Sequence, residues 1–170
     1  EALRLAADAG DPALARRLFD EHGPALLEGG WPLALQRVLE RTPLAELASF
    51  RLRVAAEIGD PALLRDLALP ESPTPADLSH HALALFHQGR YDDAAAAAEV
   101  ARRAAEAAGD EHVAYAAGFI GARTLLDRGR PAEALSAYSK LTPFSDLQRA
   151  QHEVAIIVCS SRSGDKARAL

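Results

Sequence analysis

Apolar residues recur along this chain at helical spacing, in short runs that come in pairs. Leu14, Ala15, Leu18 and Phe19 share one face, as do Leu35, Val38 and Leu39, then Leu63, Leu64 and Leu67, and Ala134, Leu135, Tyr138 and Leu141. Between these lie further stripes: Leu47, Phe50, Val54 and Ile58, and Val113, Ala117, Ile120 and Thr124. A run on one face of a 3.6-residue period predicts a helix with one buried side.

The pairs are joined by turns of one kind: Gly10-Asp-Pro, Gly30-Trp-Pro, Gly59-Asp-Pro, Gly89-Arg-Tyr, Gly129-Arg-Pro and Gly164-Asp-Lys. Glycine closes a helix because it enters the left-handed region without a Cβ penalty. Pro12, Pro32, Pro61 and Pro131 then sit where a first helical residue needs no N–H. Asp11, Asp60 and Asp165 are placed to cap the helices that follow. The clearest copy is His80–Asp110, a helix, a turn at Gly89–Arg90 and a longer alanine-rich helix ending at Gly109. Breaks are expected at His22–Gly23–Pro24, Arg41–Thr42–Pro43, Pro70–Pro75, Ala108–Asp110 and Leu141–Ser145.

The fold class is therefore all-α, an α-solenoid of five to six helical hairpins over 1–22, 24–41, 45–69, 76–108, 112–141 and 147–170. The turn glycines are separated by 20, 29, 30, 40 and 35 residues, by subtraction of their positions. Composition agrees: 49% of residues are hydrophobic and only 5% aromatic, so the apolar content is mostly Ala and Leu. The net charge of −5 is spread without a basic stripe, which argues against direct nucleic-acid contact by this segment. No apolar run reaches the roughly 20 residues of a membrane span. Cys159, alone in the chain, reads as a buried thiol in a reducing cytoplasm. The opening at Glu1 without any Met, and the close at GDKARAL, are expected of a piece of a longer protein.

The units around Gly89 and Gly129 resemble tetratricopeptide repeats. That family wants a small residue seven before the turn glycine, here Ala82 and Ala122, and alanine five after it, here Ala94 and Ala134, with Ala15 and Ala169 in other units. It favours an aromatic nine after, met by Tyr138 and Phe19 and replaced by Ala98, while Leu52 and Ile157 depart at the small position. The resemblance implies a right-handed superhelix. A narrower likeness lies in AADAGDPALARRLFDEHGPALLEGGWPLALQRVLERTP, which is similar to the segment after the ATPase module in large ATP-binding LuxR-type transcriptional regulators, relatives of the bacterial maltose-regulon activator. In that family the tetratricopeptide-like solenoid is a sensor between a P-loop ATPase and a helix-turn-helix domain.

No phosphate loop, dinucleotide fingerprint or nucleophile elbow occurs, so no catalysis and no cofactor are expected of this segment. His80, His81 and His87 are close in sequence but offer no i, i+4 pair for a metal. The resemblance places groove residues two, three, six and ten before each turn glycine. Carried over, these include Ser49, Arg53 and Glu57; Ser79, Leu83, Phe86 and His87; Phe119, Arg123 and Asp127; and Arg162. Arginine forks among apolar residues suit a small-molecule inducer or a regulatory protein or peptide carrying an anion; the alternative is that the phenylalanines are core and the arginines solvated. Trp31 reads either as a partner contact or as a cap on an apolar seam. The expected role is a cytoplasmic sensor of a LuxR-type regulator; the alternative is a stand-alone protein-interaction scaffold. An open end of such an array invites self-association.

Overall fold

The computed structural model of the protein describes residues 5, 11–41, 47–65 and 67–164. Among them the chain is all-helical: α1 Pro12–Glu28, α2 Pro32–Glu40, α3 Ala48–Ile58, α4 Pro61–Leu64, α5 Pro75–His87, α6 Tyr91–Ala108, α7 Glu111–Asp127, α8 Pro131–Tyr138 and α9 Asp146–Ser163. The chain divides into two compact units, Glu1–Pro73 and Thr74–Leu170, where the sequence reading has one array over 1–170. The division falls in PESPTP, whose prolines deny the backbone a helix.

The turns form by the chemistry read from the sequence. Gly30, Gly59, Gly89, Gly129 and Gly164 have φ between 70° and 81°, the left-handed region. Three turns share one hydrogen-bond pattern: the N–H of Trp31, Arg90 and Arg130 donates to the carbonyl of Leu26, Leu85 and Leu125 at 3.0, 3.0 and 2.9 Å. Asp11 accepts from the Leu14 N–H at 2.9 Å and Asp60 from that of Ala62 at 2.8 Å, so each caps the next helix. Gly10, Asp165 and Ala169 lie outside the described residues.

In the first unit Phe19, Leu35, Leu39, Leu47 and Val54 form the core, with Phe50 packed against it. The expected helix break at His22–Gly23–Pro24 is not there: α1 runs through it to Glu28. Proline removes one N–H from the ladder, yet Gly23 has no Cβ to clash with the following ring. The space at Gly23 is taken instead by Phe50, whose Cζ would stand 2.3 Å from an added Cβ. The third hairpin is cut short, since α4 is only 4 residues long. Trp31 is 59% exposed, so it does not cap a buried seam.

The second unit opens on a capping box: Thr74 Oγ1 accepts from the Asp77 N–H at 3.2 Å, and Asp77 Oδ2 from the Thr74 N–H at 2.9 Å. Each helix packs on the next from α5 to α9, and α5 also packs directly on α7. Around the Gly89 and Gly129 turns the positions of the repeat pattern bury, with Ala82, Ala94 and Ala134 at 0%, Ala122 and Tyr138 at 1% and Ala98 at 2%, whereas Ile157, at the small-residue position before Gly164, is 48% exposed. Small residues there let the helix axes approach closely, and Tyr138 fills the space between α7, α8 and α9. Cys159 is buried in the same cluster, and burial pushes its thiol up.

Candidate hollow between α7 and α9

The last turns of α7 and the middle of α9 enclose a hollow of about 560 Å³. Phe119, Val154 and Val158 give it apolar walls, Tyr138 reaches it from α8, and Arg123 and Asp127 stand at its edge. On α7, Phe119, Arg123 and Leu126 fall one turn apart, so helical geometry alone aligns them.

Arg123 is the distinctive group. Its guanidinium carbon lies 4.8 Å from the centroid of the Phe86 ring on α5, which holds the cation over an aromatic face. Among the described residues Arg123 has no ion-pair partner, although Asp127 follows it by one turn. Its positive charge reaches His87, whose pKa is lowered below 6.5 first by burial and then by Arg123. His87 is therefore neutral at pH 7, with its ring edge-on to Phe86 at 5.7 Å. Burial, ahead of all charge effects, pushes the Tyr138 hydroxyl far up, so it remains a phenol able to donate a hydrogen bond. An exposed guanidinium fork beside apolar walls suits a molecule with an apolar body and a carboxylate or phosphate.

The residues expected at the groove are not all brought together. Ser49, Arg53 and Glu57 sit on α3 in the first unit; Ser49 and Glu57 are exposed, and Arg53 is half-buried with its Nε lacking a partner. In the second unit Phe86, His87 and Arg123 meet, and Phe119, Arg123 and Asp127 line the hollow. Phe86 is core, 7% exposed, and contributes only its ring face. Ser79 is also buried, at 5%, and Leu83 packs against the Phe86 cluster, so neither offers itself to a ligand. Arg162 is exposed in the last turn of α9, outside the hollow's lining; the nearest sign of it is its charge on Cys159.

The repeat register also puts Leu126, Val154 and Val158 on this side, but sequence reasoning missed Tyr138, Ala150, Gln151 and Ala155 as lining residues. The signal was present for Tyr138, since an aromatic on α8 facing α7 must end either in the core or in a gap beside it. Among the described residues no group of three or more His, Cys, Asp or Glu is placed to hold a metal ion, and no helix is long and apolar enough to cross a membrane. No protein-family model, curated protein or solved structure matches the chain.

Proposed function

We propose that this chain is a tetratricopeptide-like stack of helical hairpins, acting as the ligand- or protein-binding sensor segment of a cytoplasmic LuxR-type, ATP-binding transcriptional regulator. It does no chemistry itself. The observation that carries the binding part is Arg123: an exposed cation, held on Phe86 and lacking a carboxylate, at the edge of an apolar hollow. Supporting the repeat part, the register positions of the family pattern are buried around both the Gly89 and the Gly129 turns.

In this reading an occupant of the hollow contacts α7 and α9 at once, so it favours the spacing of those helices that fits it. Binding then shifts a population between helix arrangements, and the neighbouring modules respond to that shift. The occupant is a small molecule or a peptide with an anionic group, taken by Arg123, and an apolar part, taken by Phe119, Val154 and Val158.

The regulator part is tested by the coding sequence on either side of this segment. A phosphate-loop motif upstream and a helix-turn-helix downstream are the expected result. A reading frame with neither contradicts the regulator and leaves the stand-alone interaction scaffold.

A further inference from the structure

Asp127 is the second charge at the edge of the α7–α9 hollow, one turn after Arg123 on the same helix. The two side chains do not neutralise each other: among the described residues neither has an ion-pair partner. Their order is the poorer one for a helical pair, with the cation on the N-terminal side. The fold also keeps other cations from Asp127. Arg128, the next residue, pairs with Asp92 of α6 at 2.6 Å, and Arg130 is held by Glu133. Asp127 is the last residue of α7, and the last turn of that helix holds no basic side chain. A carboxylate there adds to the negative end of the helix dipole, a place that favours a cation.

Both charges act on one wall of the hollow. Burial, and after it Cys159, pushes the Tyr138 hydroxyl up; Arg123 works against that rise and Asp127 adds to it. Tyr138 lines the hollow, so opposite charges stand near the same space. Apart from Tyr138 and Gln151 the rest of the lining is apolar, and Val154 within it is 60% exposed. A plain anion on Arg123 brings like charge beside Asp127, and a plain cation on Asp127 does the same beside Arg123. A molecule that carries both charges on one carbon meets a partner at each and avoids both repulsions.

We infer that the hollow binds an apolar α-amino acid as its zwitterion, with the carboxylate on Arg123, the ammonium on Asp127 and the side chain against Phe119, Val154 and Val158. This rests on the reading of Arg123 given above and adds what the second charge selects. The guanidinium presents a planar fork to the carboxylate. The ammonium is a compact group with three donors, and the Asp127 carboxylate accepts from it at the end of α7 where positive charge is favoured. Each contact is exposed and contributes modestly, so selectivity comes from satisfying both at once. The volume of about 560 Å³ lies within the range of about 300–1,000 Å³ usual for small-molecule sites, which admits branched and aromatic side chains.

Three leucine compounds separate the two charges: L-leucine carries both, acetyl-leucine only the carboxylate and leucinamide only the ammonium. Each is titrated at pH 7 into the isotopically labelled 170-residue chain, and the Phe119, Arg123, Asp127 and Val154 amides are followed. The expected result is saturable movement with L-leucine, at a Kd of about 1 mM for so small a ligand. Acetyl-leucine and leucinamide each bind about threefold or more weakly, a ratio within what one exposed ion pair contributes. Asp127→Asn keeps the shape of an exposed side chain and removes its charge, so the ratio between L-leucine and acetyl-leucine falls to about one. Acetyl-leucine binding as tightly as L-leucine to the parent chain overturns the amino-acid class while leaving the Arg123 reading in place, since that reading needs only the carboxylate. A preference for L-leucine that survives Asp127→Asn overturns the inference as well. Saturable shifts from none of the three compounds overturn both.

Discussion

Gly23 gives a sign test of the first unit's packing. In an ordinary exposed helix interior, replacing glycine by alanine stabilises by up to about 1 kcal/mol. Here an added Cβ would stand 2.3 Å from Cζ and 2.4 Å from Cε2 of Phe50, more than 1 Å inside normal contact. The Phe50 ring must retreat, and it is one half of a ring pair with Phe19 at 4.9 Å. Overpacking costs about 1–3 kcal/mol, and loosening the aromatic pair up to about 1.5 more. Alanine before Pro24 also meets the proline ring that glycine avoids. The costs outweigh the helix gain, and Gly23→Ala destabilises by about 1–3 kcal/mol, which is roughly 5–20 °C for a unit of this size. Phe50→Leu removes the ring atoms that clash. In that background Gly23→Ala costs at least about 1 kcal/mol less, so a double-mutant cycle in urea, followed by circular dichroism, reads a coupling of that size. A rise in melting temperature for Gly23→Ala in the parent chain, or a coupling near zero, refutes the packing argument.

Other outcomes follow from the second unit. Tyr138→Ala opens a cavity where α7, α8 and α9 meet and costs about 3–5 kcal/mol by chemical denaturation, whereas Tyr138→Phe keeps the packing and costs under about 1.5. Glu99 is held at about 2, against an ordinary 4.5, mainly by its hydrogen bonds with Arg102. Its contribution to stability is thus complete above pH 4.5 and is lost as pH falls from there through about 2; Glu99→Gln flattens the stability–pH curve in that window. The size is small because the pair is well exposed. His87 runs the other way from a paired histidine. Burial and Arg123 hold it neutral, so its contribution is present above pH 6.5 and is lost as pH falls through the lowered value. Arg123→Ala moves the His87 pKa back up, measured by proton NMR titration, and an unchanged value contradicts their proximity.

The turns were legible because their chemistry is local. A glycine at positive φ and a proline in the first helical turn need no tertiary information, and those at Gly30, Gly59 and Gly129 fall where the sequence puts them. The buried alanines around Gly89 and Gly129 were legible for a related reason: a helix that must approach another closely has few residues to choose from. Gly23–Pro24 misled because the local rule for a break was overridden by a contact from Phe50, 27 positions away. The site was less legible. Repeat position predicts which way a residue points along an ideal array, but not how far the next helix covers it, so Ser79 and Phe86 turned out buried.

The most direct test of the account is whether the α7–α9 hollow takes an anion through Arg123. Acetyl-leucine, a carboxylate with an apolar side chain, and its uncharged amide are titrated into the labelled chain at pH 7. The account predicts saturable shifts at Phe119, Arg123 and Val154 with the carboxylate, weaker ones with the amide, and a rise in the His87 pKa as the ligand's charge offsets that of Arg123. It predicts their loss in Arg123→Ala with a melting temperature within about 5 °C of the parent, since an exposed cation–π contact contributes only about 0.5–1 kcal/mol. Equal binding of acid and amide, or carboxylate binding undiminished in Arg123→Ala, contradicts it.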